Sequence, residues 1–295
     1  MTLRIYAKRI TPLSLFEIVV NRLDPAHRFV VMEYSMFYQW HIAELARLLP
    51  PTVGIILNVE AEHIGIDGIG SERDILLAKM RLLEAARYAF VEQEIARRHS
   101  DVLGTTPTFD WHDYIAFDGR ELQPFIRSKL QYVQIGAALK AKAVLVGDVN
   151  EGDIAAIERF QPKEHRLSRL KGKDREVFFD GEVTAAVRLN ALGESLYERR
   201  VLVLHDVEFY GDVEVQRQML CRALARFDVV YISKRLSPKF QPFVESCVTS
   251  CKSAVFYDEA VPGIPAETAV FFHWGAYWRK QSDEVIAVET VSRDF

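Results

Sequence analysis

The chain lacks several features that would point quickly to a job. Cysteine is scarce, with three in 295 residues: Cys221, Cys247 and Cys251 are too few for a disulfide framework. Cys247 and Cys251 are spaced to share a helix face, yet no nearby His or Cys cluster completes a metal site. They read as ordinary reduced thiols in a helix. No apolar run reaches the length of a membrane-spanning helix. The opening MTLRIYAKRITPLSLFEIVV is basic at its start but has no unbroken apolar stretch followed by small residues, so it does not read as a signal peptide. The expected location is therefore the cytoplasm. A charge excess is missing too: 37 Lys+Arg against 41 Asp+Glu leave a net charge of −4, which excludes an electrostatic nucleic-acid binder. There is no internal repeat and no low-complexity segment.

What is present is a globular composition, 49% hydrophobic and 26% charged, long enough for one large or two medium domains. Apolar strand-type runs alternate with helical patterns in two regions, which predicts an α/β fold with mostly parallel sheets. In the first, Phe29-Val-Val-Met-Glu33 and Val53-Gly-Ile-Ile-Leu57 read as strands flanking a helix near 37–48 that stops at Pro50-Pro51. A right-handed crossover makes these strands parallel and sets their carboxyl ends on one edge, where open α/β sheets bind ligands. Ser71-x-x-Asp74 resembles a helix start, and the helix runs to about Arg87. Residues 100–125 read as loops and short strands, with helices at 128–146 and 151–160. A polar, basic stretch from Pro162 to Lys173 places the domain boundary at 161/162. The second region predicts strands at 175–179, 200–205, 228–233, 253–257 and 267–272, and helices at 182–196, 213–226 and 238–250.

Three residues of the first region carry potential chemistry. Glu33 ends a strand, His63 lies in the exit loop of the next, and Lys79 falls on the apolar face of the 71–87 helix beside Ile75, Leu76, Leu82 and Leu83. A lysine is seldom buried without a partner. A carboxylate and an imidazole at a ligand edge can hold a divalent cation. An ammonium joins them only if it is neutralised or converted into an anion, and carbon dioxide added to a neutral lysine amine gives such an anion, a carbamate. Each residue also has an ordinary reading: a cap for Glu33, a loop histidine for His63, a stem lying along apolar surface for Lys79.

Val31-Met-Glu-Tyr-Ser35, Val53-Gly-Ile-Ile-Leu-Asn-Val-Glu-Ala-Glu-His63 and Ala78-Lys79-Met-Arg81 together resemble the second half of the central domain of the Mur ligases. With their folylpolyglutamate synthase relatives, those enzymes join an amino acid to a carboxylate using ATP. This chain has Leu57-Asn58 for the family's Thr-Asn and Glu62-His63-Ile64 for its Asp-His-Leu. The resemblance implies that Glu33 and His63 bind Mg2+ near the γ-phosphate, and that Lys79 is carbamylated and assists that metal. It further assigns nucleotide contacts to Asn58, to Arg166 in the His165-Arg166-Leu167 turn, and to Asp180 at the end of Val177-Phe-Phe-Asp180. The implied fold is a truncated Mur-ligase-like central domain with a parallel sheet (1–161), then a Rossmann-like, doubly wound C-terminal domain (162–295).

The departures are equally specific. The family's Gly-x-x-Gly-Lys-Thr phosphate loop has no counterpart ahead of Glu33, and no glycine precedes Gly54. Leu130-Gln131 stands where the family has His-Asn. Gly-Glu-Val-Thr follows Asp180, where many members have a Tyr, Lys or His. Phe272-His273-Trp274-Gly275 stands near the place of Gly-Ser-Arg. Three expectations follow. One is a subunit of an ATP-dependent carboxylate–amine ligase whose partner chain supplies the phosphate loop, with an apolar surface left near the N-terminus unless a partner or a homodimer covers it. The second is a non-catalytic scaffold or regulator. The third is a different enzyme reusing the metal site. The substrates are small carboxylates and amines, with no nucleic acid and no membrane.

Overall fold

A computed structural model describes residues 2–5, 10–34, 36–162, 167–170, 176–181, 185–209, 211–258, 261, 264 and 268–274. The chain forms two compact units, Met1–Asp110 and Trp111–Phe295. Among the described residues, no helix is long and apolar enough to cross a membrane.

The first unit runs β1 (Thr2–Ile5), α1 (Pro12–Arg22), β2 (Phe29–Met32), α2 (His41–Leu48), β3 (Val53–Ile56), α3 (Glu72–Ala85), β4 (Tyr88–Glu92), α4 (Gln93–Arg98), α5 (Ser100–Leu103) and β5 (Thr108–Phe109). β1 pairs with β2 in parallel, and β3, β4 and β5 form a second parallel ladder. The two strands foreseen from sequence therefore exist, but each hydrogen-bonds to a strand that was not foreseen. A strand and a helix, β1 and α1, precede β2. Thr11 and Ser14 close a capping box on α1, and Pro12 opens its first turn without sacrificing a needed N–H. Leu15 of α1 packs with Leu3, Ile5, Ile10 and Leu45. Its other face presents Leu13, Phe16 and Val20 to solvent, and Val31 of β2 is also exposed. An apolar surface near the N-terminus is thus present.

α3 begins where the sequence says it should. Ser71 Oγ accepts from the Asp74 N–H at 3.3 Å, and the Asp74 carboxylate accepts from Ser71 Oγ at 2.8 Å and from the Gly70 N–H at 3.0 Å. Ile75, Leu76, Ala78, Leu82 and Leu83 bury one face of the helix against Ile56, Val59, Val91 and Ile95.

The second unit contains β6 (Ala116–Phe117), β7 (Arg120–Glu121), α6 (Lys129–Leu145), α7 (Glu151–Glu158), β8 (Ser168–Leu170), β9 (Val177–Asp180), α8 (Ala185–Gly193), β10 (Arg200–Asp206), α9 (Val213–Leu224), β11 (Val229–Ser233), α10 (Gln241–Cys247), β12 (Ala254–Tyr257) and β13 (Ala269–Trp274). Its main sheet has the order β12-β11-β10-β13-β9-β8. All neighbours are parallel except β8, an antiparallel edge strand on β9. The predicted alternation is present nearly element for element.

The two compact units meet at 110/111, so α6 and α7 fall in the second of them. The entry to α6 is tied to the chain after α8: the Leu196 N–H donates to the Arg127 carbonyl at 2.7 Å, and Ser128 bridges Ser195 in antiparallel fashion. Cys247, expected as a reduced thiol, forms a disulfide with Cys221 between α9 and α10. Cys251 is free.

Gly54 of β3 lies against α3. A Cβ there would stand 2.9 Å from Ala86 Cβ and 3.2 Å from the Leu82 carbonyl oxygen. Only a hydrogen on this face lets the helix sit close to the strand. Gly54→Val is expected to cost roughly 1–3 kcal/mol in urea unfolding through overpacking, and a variant as stable as wild type would contradict this close approach.

Candidate functional site

The chain leaves β3 at Leu57 and turns through Asn58 into a short 3-10 turn, Ala61–His63, before Ser71 starts α3. Lys79 lies two turns into α3 and reaches back across this connection. Its ammonium donates to the Asn58 backbone carbonyl at 2.7 Å and to Asn58 Oδ1 at 3.0 Å. This answers how a lysine on the apolar stripe is tolerated. The side chain is half-buried, and its head is satisfied by one residue that supplies two acceptors.

The electrostatics gather more groups around the same point. Burial pushes the Lys79 pKa down, while Glu62, Glu60 and Glu33, in that order, pull it back up. Burial and then the Lys79 charge push His63 from the usual 6.5 to about 4. His63 is therefore neutral at pH 7, the form in which an imidazole ligates a metal. The structure thus brings Asn58, His63 and Lys79 into one corner, with Glu33 exposed and acting on Lys79 through space. Glu60 was not singled out from sequence; its only sign there was its position in the exit loop of β3.

The donors suit a divalent cation in kind: carboxylates, an amide oxygen and a neutral imidazole. The ammonium opposes one, and its conversion to a carbamate would turn the opposing group into another oxygen donor. Among the described residues, no three His, Cys, Asp or Glu side chains converge as a ready cluster. A carbamylated Lys79 would accordingly have to complete the ligand set.

Two further expected nucleotide contacts belong to the second half of the sequence. Arg166, with His165, falls outside the described residues. Asp180 is buried at the carboxyl end of β9, and its carboxylate is already engaged. Arg188 Nε donates to both of its oxygens at 3.1 Å, and His273 Nδ1 lies 3.1 Å from Oδ2. Burial alone would raise the Asp180 pKa, but Arg188 and His273 outweigh it and hold the carboxyl at about 2. Asp180 is therefore the centre of a buried cluster with Arg188 and His273. His273 was singled out only as part of a departing motif. It is fully buried beside Asp180 in the β9–β13 register, and its Nε2 has no hydrogen-bond partner. The sequence carries no local sign of this pairing, because the partners are 93 residues apart.

The parallel strand exits of the first unit and the mostly parallel sheet of the second define a class: an α/β protein of two units. Residues 11–101 match the family model described as the Mur ligase middle domain. A curated relative, UDP-N-acetylmuramoyl-tripeptide--D-alanyl-D-alanine ligase of Synechocystis sp., is 44% identical over 61 residues, 21% of this chain and 13% of that protein. Among solved structures, the MurF ligase from Thermotoga maritima in complex with ADP aligns with a TM-score of 0.72 at 16% identity, covering 98% of this chain and 73% of that one. A pseudomurein peptide ligase type C from Methanothermus fervidus aligns at 0.59 and 12% identity, covering 89% and 68%. Residues 11–101 are thus similar in sequence to a Mur ligase middle domain, and the described chain has the fold of the Mur ligase middle and C-terminal domains.

Two outcomes are expected from these geometries. Unfolded His63 titrates near 6.5 and folded His63 near 4. Between those values the unfolded chain binds the extra proton, so stability falls as pH drops through the window and is untouched by this group above it. Going from pH 7 to pH 4, wild type should lose roughly 1–3 kcal/mol more than His63→Gln, read by denaturant unfolding at each pH; equal losses would refute the depressed imidazole. Asp180→Asn should cost roughly 2–5 kcal/mol by removing the buried charge that faces Arg188 and His273, and a neutral result by calorimetry would mean that the pair is solvated.

Proposed function

We propose that this chain is a Mur-ligase-like subunit of an ATP-dependent ligase that joins a carboxylate to an amine, and that a partner chain supplies the phosphate loop. The observation that carries this reading is the corner in which Lys79 is held by Asn58 beside neutral His63 and within reach of Glu33, Glu60 and Glu62. It stands at the carboxyl end of β3 in a segment that matches the Mur ligase middle domain. A structural role alone does not call for three carboxylates around a lysine whose hydrogen bonds are already supplied by Asn58.

In the proposed reaction a substrate carboxylate oxygen attacks the γ-phosphorus of ATP, ADP departs, and an acyl phosphate forms. The amine then attacks the acyl carbon, loses a proton, and displaces phosphate. Lys79, once its amine is neutral, would take up carbon dioxide and release a proton to become a carbamate. Glu33, His63 and the carbamate would then hold Mg2+, whose contribution when bound is to offset phosphate charge. Asn58 would be freed from Lys79 to face the nucleotide.

The 295 residues contain no Gly-x-x-Gly-Lys-Thr, and the sequence between β1 and α1 reads Tyr6-Ala-Lys-Arg9. Backbone amides of a glycine-rich turn supply much of the grip on nucleotide phosphates, which favours a partner for that task. A second reading, a non-catalytic scaffold, is supported by the engagement of Asp180 with Arg188 and His273.

The two readings separate in one experiment. The full chain is assayed for ATP-dependent amide formation with loop-bearing candidate partners, alongside Lys79→Ala. The ligase reading expects turnover only in the assembled pair and a loss on the order of 100-fold or more in Lys79→Ala without weakened assembly. It also expects a carbamate carbon signal from 13C-bicarbonate in wild type that vanishes in Lys79→Ala. Assembly without turnover, unchanged by Lys79→Ala, establishes the scaffold; tight ATP binding by the chain alone in calorimetry removes the need for a partner.

A further inference from the structure

All three cysteines lie near the packing of α9 on α10. Cys221 is half-buried on α9, and Cys247 is fully buried at the last residue of α10. Their Cα atoms are 4.7 Å apart and their sulfurs are bonded. That spacing lies within the range of about 4.4–6.8 Å for native disulfides, so the backbone need not move for the bond to close.

The same surroundings also suit the reduced state. Cys247 Sγ lies 3.5 Å from the Arg217 carbonyl, an acceptor in place for an S–H donor. Free buried cysteine behaves as a small apolar side chain, so Val244 and Cys247 can pack as they do with or without the bond. Cys221, the more exposed member, offers the route for an incoming reagent. Cys251 faces the Cys247 carbonyl with its Sγ at 3.8 Å, and burial raises its pKa, which keeps it a poor exchanger. The bond links residues 26 apart and encloses the whole of β11, whose end carries Ser233 and then Lys234, paired with Asp258 at 2.9 Å.

We propose that Cys221 and Cys247 form a reversible thiol–disulfide site that exchanges with a small soluble disulfide of the glutathione class, clamping α9 to α10 when oxidised. The Cys221 thiolate attacks the soluble disulfide, forming a mixed disulfide and releasing one thiol. Cys247 gives up its proton and attacks Cys221 Sγ, breaking the mixed disulfide and releasing the second thiol. The two protein thiols lose two electrons and two protons, and the soluble disulfide gains them. Reduction reverses both steps.

The test equilibrates the full chain in glutathione buffers from fully reduced to fully oxidised, then denatures, alkylates and weighs it. Three alkylated thiols are expected at the reduced end and one, Cys251, at the oxidised end. The oxidised form should melt about 5–10 °C higher. Cys251→Ser should keep both responses and Cys221→Ser should lose both. Three alkylatable thiols at every ratio, a lasting glutathione adduct on Cys221 without closure, or a redox-dependent melting point surviving in Cys221→Ser would each overturn the site. The alkylation count on wild type and Cys251→Ser decides the matter even if Cys221→Ser folds poorly.

Discussion

The two hydrogen bonds from Lys79 to Asn58 are the constraint on which the first unit's chemistry depends. They tie the second turn of α3 to the residue leaving β3 and fix where the intervening loop must pass. With the lysine held there, Glu60 and Glu62 find a cation to offset their charge, and His63 finds both burial and a like charge that keep its ring neutral. A leucine at position 79 would suit the apolar stripe better, but the Asn58 carbonyl would lose its donor and the acids their counter-charge. The close approach at Gly54 serves the same end, since α3 must lie near β3 for the lysine to span the gap.

The second unit handles buried charge differently. Asp180, Arg188 and His273 satisfy one another inside the sheet edge, and the carboxylate has little capacity left for a ligand. The Lys79 corner is half-open and carries more acid than its hydrogen bonds require; the Asp180 centre is closed and nearly balanced. Buried ion pairs of the second kind are weak indicators of function, because removing one partner is costly whether or not the pair does any chemistry. Functional weight therefore falls on the first unit.

Much of the fold was legible because its signals are local. Ser71, Ser128 and Asn150 each cap the helix that the apolar pattern announces, and in each case the side chain accepts from the amides that the cap must satisfy. Apolar runs such as Val201 to Leu204 and Val229 to Ile232 became central strands because nothing polar interrupts them. What escaped was mostly non-local. β1 is four residues long and follows no turn signal, and it declares itself only by pairing with β2. β4 was hidden because it starts three residues after α3 ends, leaving no room for a visible break. The division into units at 110/111 has no compositional sign, because the tie between Arg127 and Leu196 is invisible in composition. At the site, Lys79 stood out as a misfit on an apolar stripe, but its partner did not, since one of its two bonds is to a backbone carbonyl that every residue carries.

The order of the second sheet has a consequence for how the chain matures during synthesis. Among the described residues β13 is the last strand to be made, yet it lies between β9 and β10 and places Val270, Phe271 and Phe272 at the centre of the core. Until it emerges from the ribosome, β9 and β10 have no common neighbour and a gap runs through the middle of the layer. The nascent unit thus waits, with two unsatisfied strand edges facing each other, for a keystone made after every other described strand of the layer.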